Sequence, residues 1–304
     1  MTILITGGAG FIGSHLVEYF QGRAAVRVLD NFRTGFQRNL DGFQVEVIEG
    51  DILDRETLRR AMQGVDYVFH MAAMVSVPES VSRPLECEQL NGMGTLYVLE
   101  EAAAAGVKKV FLASSAAVYG NNPVVPKVET MVPEPKSPYA ITKLLGEQYC
   151  RFYHDEGRVG TVCLRFFNVF GARQDPHGPY GAAVPVFIEK ALRGEPITIY
   201  GDGMQTRDFI WVKDIVAAIV HVTLTEGLTG VFNAGYGGMM TVNDLAQNVT
   251  ALAGSPSVIQ HLPERAGDVK HSRAAIDKLL ATGFRHTGSM EEGLRSTMEY
   301  FRKV

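Results

Sequence analysis

Tyr139 and Lys143 bracket the run Tyr139-Ala140-Ile141-Thr142-Lys143, a spacing that places both side chains on one face of a helix, one turn apart. A phenol with a pKa near 10 is a poor base at neutral pH. A lysine ammonium beside it stabilises the phenolate, so the tyrosine can take a proton from an alcohol as the hydride leaves. The pair alone is weak evidence, because many helices carry Tyr and Lys at this spacing by chance. Upstream, Phe111-Leu112-Ala113-Ser114-Ser115-Ala116-Ala117-Val118-Tyr119-Gly120 ends an apolar strand with serines at its C-terminal tip, where the ligands of a parallel sheet sit. Ser115 could hydrogen-bond the reacting hydroxyl and the developing ketone oxygen.

Hydride chemistry needs an acceptor, and the N-terminus supplies a place for one. Gly7-Gly8-Ala9-Gly10-Phe11-Ile12-Gly13 satisfies both G-x-G-x-x-G and G-x-x-G-x-x-G directly after a strand pattern and before an amphipathic helix. Gly7, Gly10 and Gly13 there permit a tight turn and close helix packing, and the helix N-terminus offers unpaired N–H groups to a pyrophosphate. Asp30 closes the next strand, where a carboxylate accepts from a ribose 2′-hydroxyl but repels a 2′-phosphate, so NAD is expected rather than NADP. Arg33 is a nearby cation that could contact a phosphate. Asp51, after the following strand, is placed either to meet adenine or to cap a helix.

Elements to hold these residues are legible in the pattern. Strand signals at Ile3 to Thr6, Val26 to Asp30, Val45 to Glu49, Tyr67 to His70, Val110 to Ser114 and Thr161 to Phe166 alternate with helix-period stretches at Phe11 to Gln21, Arg55 to Gln63 and Asn91 to Ala105. The alternation predicts an α/β fold with a Rossmann-type doubly wound parallel sheet. After Asn168 the chain turns to Gly/Pro-punctuated segments with helices at Ala183 to Arg193, Val212 to Leu224, Thr241 to Ala253 and Met290 to Arg302. The expectation is a cofactor domain over 1–168 and a smaller C-terminal α/β substrate-binding part over 169–304, with segments of the latter returning to the first sheet.

Composition narrows the partners. Of 304 residues, 29 Lys and Arg stand against 33 Asp and Glu, a formal charge of -4, so no global positive field exists for nucleic acid or an anionic membrane surface. Cys87, Cys150 and Cys163 lack metal or C-x-x-C spacing and read as buried free thiols of a reducing compartment. His177 and His271 lack a nearby third ligand, and no metal is expected. Without a signal-peptide pattern or a run of about 18 apolar residues, the protein is expected in the cytoplasm.

With these residues in view, the chain resembles the extended short-chain dehydrogenase/reductase superfamily, and more narrowly its sugar-nucleotide epimerase/dehydratase group. The likeness runs through Thr6 to Gly13, Asp30-Asn31, His70-Met71-Ala72-Ala73, Asn91 with Gly94-Thr95, the serine strand, the Tyr/Lys pair, Arg165 to Gly171, and Gly201-Asp202-Gly203-x-Gln205-x-Arg207-Asp208. It implies that Ser115, Tyr139 and Lys143 form the catalytic set, with Lys143 also on the nicotinamide ribose. It further implies cofactor contacts from Phe11, Ile12, Asn31, Ile52, Ala72, Ala73 and Asn91 beside the glycines, Asp30 and Asp51. Dehydratases and decarboxylases of the group carry acid/base side chains just after the serine or threonine, where this chain has Ala116 and Ala117. A 4-ketone formed here can then only receive hydride again, which makes UDP-sugar 4-epimerisation with recycled NAD the expected reaction. Alternatives are another sugar-nucleotide dehydratase, decarboxylase or reductase, or a non-catalytic NAD-binding regulator.

A nucleoside diphosphate needs cations, and Arg207 and Arg265 answer that need in the C-terminal half. Both look like the group's pyrophosphate and uridine-ribose contacts, as do Asn168 for the phosphate and Asp268 for the ribose. Tyr200 belongs to the same pocket or packs beside it. Ser272 stands where similar epimerases restricted to UDP-glucose and UDP-galactose carry a bulky tyrosine, so UDP-GlcNAc and UDP-GalNAc are expected substrates and the plain pair stays open. The resemblance also implies a homodimer through the helices near Asn91 to Ala105 and Tyr139 to Tyr153, whose other role is packing on the sheet.

Overall fold

The computed structural model describes residues 1–178, 182–264 and 270–303. In chain order, β1 (Thr2–Thr6), α1 (Phe11–Phe20), β2 (Ala25–Asp30), β3 (Glu46–Glu49), α2 (Arg55–Ala61) and β4 (Tyr67–His70) are followed by α3 (Val77–Ser82) and α4 (Pro84–Cys87). A π-turn, Glu88–Met93, leads into α5 (Gly94–Ala104), then β5 (Lys109–Ser115), α6 (Pro138–Asp155), β6 (Gly160–Phe166), β7 (Asn168–Phe170), α7 (Ala183–Arg193) and β8 (Ile197–Tyr200). The chain closes with β9 (Thr206–Arg207), β10 (Phe209–Trp211), α8 (Val212–Leu224), β11 (Gly230–Ala234), β12 (Met240–Thr241), α9 (Val242–Ala253), β13 (Ile259–Leu262), α10 (Asp277–Ala281) and α11 (Met290–Phe301). The helix expected from Asn91 thus begins as a π-turn, and α6 extends beyond both expected ends.

Two units emerge, and each takes discontinuous stretches of chain. One comprises Met1–Gly120, Val132–Phe166 and Val216–Phe232; the other comprises Asn121–Met131, Phe167–Ile215 and Asn233–Val304. The first is built on a seven-stranded sheet in the order β3-β2-β1-β4-β5-β6-β11. The ladders from β3 through to β6 are parallel. Such a sheet is covered on both faces, so its strands read as near-continuous apolar runs. Leu4, Leu29, Val68 and Leu112 from the strands bury against Leu58 of α2 and Met62 just after it, Val98 and Leu99 of α5, and Cys150 and Tyr153 of α6. All three cysteines are buried free thiols.

The strand order reverses between β1 and β4, and it is outside the carboxyl ends of strands at such a switch point that open α/β sheets bind ligands. Thr6 lies opposite Leu29 of β2 and His70 of β4, so the loops leaving β1, β2 and β4 converge there.

The second unit holds short two-stranded ladders, β7 parallel to β10, β8 parallel to β13 and β9 antiparallel to β12. Its core joins Phe170, Phe187, Ile188, Ile197, Leu245, Val249, Leu294 and Met298. Capping boxes start α9 (Thr241 with Asp244) and α11 (Ser289 with Glu292), each satisfying two otherwise orphaned N–H groups. Among the described residues no helix is long and apolar enough to cross a membrane.

Candidate active site

The Gly-rich turn leaves β1 and enters α1 at Gly10, which provides no side-chain cap, and the first turn of α1 carries no acidic residue. The orphan N–H groups of that helix end therefore face the crevice open to an anion. Gly13 is required by close approach: a Cβ there would stand 2.2 Å from the Gly7 carbonyl oxygen. Asp30, buried at the end of β2, ties the turn down, accepting from Ala9 N–H through Oδ2 at 2.8 Å and from Phe32 N–H through Oδ1 at 2.9 Å. Burial raises its carboxyl pKa, with the backbone donors opposing the shift. Its remaining lone pairs can accept ribose hydroxyls. This cradle of open amides, a glycine with no room for a Cβ and a buried carboxylate fits a dinucleotide without a 2′-phosphate.

Around it, Asn31 Nδ2 donates to Asp51 Oδ2 at 2.8 Å, linking the segments after β2 and β3. The cap of α2 is Asp54, which accepts from Glu56 N–H, so the capping role weighed for Asp51 falls to a residue three positions on. Ile52 is buried against Gly94, while Phe11, Ile12, Ala72 and Ala73 are half-buried. Asn91 is buried and occupied by protein partners: it accepts from Met74 N–H at 2.8 Å and donates to Met74 O at 3.0 Å and Thr142 Oγ1 at 3.2 Å. It pins the loop after β4 to the helix that carries Tyr139.

That helix starts where its sequence requires. Ser137 accepts from Ala140 N–H and Pro138 occupies the first turn, a position suited to a residue without an N–H. Tyr139 therefore lies in the opening turn of α6 and Lys143 one turn deeper. Gly146 lets α6 approach β5, since a Cβ there would come within 2.9 Å of Leu112 Cδ2. Lys143 then donates from Nζ to Ala113 O at 2.8 Å and stands 5.7 Å from the Tyr139 ring centre. Burial pushes the Lys143 ammonium down to about 8. Ser115, at the end of β5, accepts from Ala117 N–H at 3.1 Å, which uses an oxygen lone pair and leaves the hydroxyl proton to donate.

Two buried groups beside this trio were given no role by the sequence. His70 holds Thr6 Oγ1 at 2.8 Å and Thr95 Oγ1 at 3.0 Å, and burial, then the Lys143 charge, pushes its pKa down to about 3. Glu147 accepts from Ser114 Oγ and from Arg165 Nε and Nη2 at 2.9 and 2.8 Å, and Arg165 lies 4.8 Å over the Tyr119 ring. The signal was available: Tyr139, Lys143 and Glu147 recur every four residues along one face of α6.

In the second unit, Asn168 donates its backbone N–H to Asp208 O at 3.0 Å. Arg207 donates from Nη1 to Thr206 O at 3.0 Å, and Ser272 N–H donates to the same carbonyl at 3.1 Å. Tyr200 accepts from Gln205 through its carbonyl oxygen at 2.8 Å. The backbone thus gathers Asn168, Arg207 and Ser272 about the stretch Thr206–Asp208. Arg265 and Asp268 lie outside the described residues. His177 is bonded to Glu189, and His271 Nδ1 to Thr206 Oγ1. Buried Asp208 accepts from Tyr236, Gly237 and Ala274 N–H at 2.7, 3.1 and 2.9 Å, and desolvation raises its carboxyl to about 6.

Sheet, Gly-rich turn and Tyr/Lys helix together define a dinucleotide-dependent enzyme of the short-chain dehydrogenase type. The sequence model of the "NAD dependent epimerase/dehydratase family" matches residues 3–235, and the chain belongs to that family. It is similar in structure to a UDP-N-acetylglucosamine 4-epimerase from Methanobrevibacter ruminantium, in complex with UDP-N-acetylmuramic acid (39% identity, TM-score 0.96, 99% and 98% of the two chains covered). A UDP-glucose 4-epimerase from Thermotoga maritima with UDP-glucose gives 40% identity and a TM-score of 0.95 over 100% and 99%. A curated relative, the UDP-N-acetyl-alpha-D-glucosaminuronate decarboxylase of Bacillus cytotoxicus, is 35% identical over 99% of this chain and 98% of its own length.

Proposed function

We propose that this protein interconverts UDP-hexoses at C4 through a transient 4-ketone, with UDP-GlcNAc and UDP-GalNAc as its main pair and UDP-glucose and UDP-galactose as a second. The observation that carries the reading is the turn after Ser115. Ala116 and Ala117 hold the places where a carboxylate would be needed to remove a neighbouring proton or assist loss of CO2. The Gly7–Gly13 turn and Asp30 would hold NAD, which when bound would supply a reversible hydride acceptor for C4.

Everything else falls to the chain. Lys143 keeps a positive charge beside the Tyr139 ring, stabilising the phenolate so that it removes the C4 hydroxyl proton. Ser115 donates its hydroxyl proton to the developing ketone oxygen, a bond that strengthens as charge builds. With alanines at 116 and 117 in place of a base that would divert the ketone, the sugar turns over and Tyr139 returns the proton to the C4 oxygen. Gly7, Gly10, Phe11, Ile12, Gly13, Asp30, Asn31, Asp51, Ile52, Ala72, Ala73 and Asn91 form or brace the cofactor site in the first unit, which is the redox part. The second unit holds the nucleotide through Asn168, Tyr200, Arg207, Arg265 and Asp268, with Ser272 leaving room for a 2-acetamido group.

Names of relatives support the epimerase reading, and the decarboxylase among them defines the competitor. Purified protein without added cofactor is expected to interconvert UDP-GlcNAc and UDP-GalNAc. Release of CO2 from a UDP-hexuronate, loss of water, or a need for stoichiometric NADPH would replace this reading. We also infer a cytoplasmic homodimer through α5 and the face of α6 that exposes Ile141 and Phe152, the dimer to be checked by sedimentation.

A further inference from the structure

Arg33 stands three residues beyond Asp30, where a guanidinium would be expected to receive a 2′-phosphate. The structure turns it elsewhere. Its Nη1 bonds Glu86 Oε1 at 2.5 Å and its Nη2 bonds Glu79 Oε1 at 2.7 Å. Both carboxylates are placed by their own elements. Glu79 lies in the first turn of α3, its N–H accepted by Ser76 Oγ, and Glu86 lies in α4, which opens at Pro84. Arg83 approaches the same carboxylates at 3.8 and 3.3 Å, giving a set of two cations and two anions.

The set lies across the cofactor crevice for a topological reason. In the sheet β1 is flanked by β2 and β4. A pair that joins the segment after β2 to the helices after β4 therefore spans the carboxyl end of β1, from which the Gly-rich turn departs. Phe36 N–H and Asn39 Nδ2 both donate to Ala9 O, at 3.1 and 2.8 Å, which folds the Arg33 segment onto that turn. A 2′-phosphate arriving beside Asp30 would thus meet further carboxylates and a guanidinium already bonded to both.

We propose that Glu79 and Glu86 are cofactor-specificity determinants: by holding Arg33 they withhold the cation that a 2′-phosphate needs, so the site takes NAD and rejects NADP. The proposal rests on a dinucleotide lying at Gly7–Gly13 with its ribose at Asp30. Asp30 repels the phosphate, and the two glutamates deny it compensation.

The test titrates NAD and NADP into cofactor-stripped wild type, the Glu79→Gln/Glu86→Gln double variant, and the same variant with Arg33→Gln. In the double variant NADP affinity should rise roughly tenfold, as expected for one new charge-assisted contact. NAD affinity should stay within about twofold, which also reports an intact fold. Adding Arg33→Gln should remove the gain, and this arm separates Arg33 from Arg83, which the glutamines also release. Unchanged discrimination in the double variant, or a gain that survives Arg33→Gln, would overturn the proposal. Failure of the wild type to bind NAD would instead overturn the cofactor site on which it rests.

Discussion

Replacing Lys143 by methionine should destroy activity and yet stabilise the fold. Its side chain is buried, its ammonium donates to Ala113 O, and burial brings its pKa down from 10.5 to about 8. At about 1.4 kcal/mol per tenfold change in proton affinity, holding that proton in the folded state costs roughly 3 kcal/mol. Methionine fills similar space without charge and forfeits one hydrogen bond worth about 1 kcal/mol, leaving a net gain of roughly 2 kcal/mol. The gain must depend on pH in a defined direction. Below about pH 8 folded and unfolded wild type both hold the lysine proton, so wild type carries the whole cost. Between about 8 and 10.5 only the unfolded chain holds it, and wild-type stability climbs relative to the variant. Above 10.5 the advantage from the charge is gone. Urea unfolding of the two NAD-stripped proteins, followed by far-ultraviolet circular dichroism from pH 6 to 10.5, measures the difference. A variant less stable than wild type at pH 7, or a difference that does not change through that window, would show that the buried Lys143 charge does not burden the fold.

His70 should produce the opposite limb. Its folded pKa of about 3 against an ordinary 6.5 means that only the unfolded chain binds the proton as pH falls below 6.5, so stability drops in acid. His70→Gln should lose roughly 2 kcal/mol less than wild type between pH 7 and 5, as read from paired denaturation curves. Tyr139→Phe should abolish turnover while NAD affinity stays near wild type, because only the proton-transfer group is removed; near-normal turnover would unseat Tyr139. Ser272→Tyr should depress kcat/KM for the N-acetylated pair by at least about tenfold more than for the plain pair, and equal losses would argue against a gate at that position.

Features set by short stretches of chain were legible from residue order. The Gly-rich turn between a strand and a helix, the Tyr139-to-Lys143 turn and the apolar strand ending in Ser115 are each specified within about a dozen residues, by backbone sterics and helix periodicity. They position the tyrosine, the lysine and the pyrophosphate-binding amides wherever the surrounding fold permits. The alternation of strand and helix patterns likewise implied a doubly wound sheet, because buried parallel strands must be covered on both faces.

Contacts between residues distant in sequence were decided by packing. Lys143 finds Ala113 O because Gly146 admits α6 to β5; Glu147 finds Arg165 because β6 lies beside β5. His70 reads as a strand-end polar residue, and only the layers around β4 make it a neutral buried one. Arg33 shows the difference most sharply. By residue type and position it is a cation beside the ribose carboxylate, available to a phosphate. The sheet order, which brings the segments after β2 and β4 together across β1, gives it two carboxylates instead, and a charge is available to a ligand only when the fold has not already paired it.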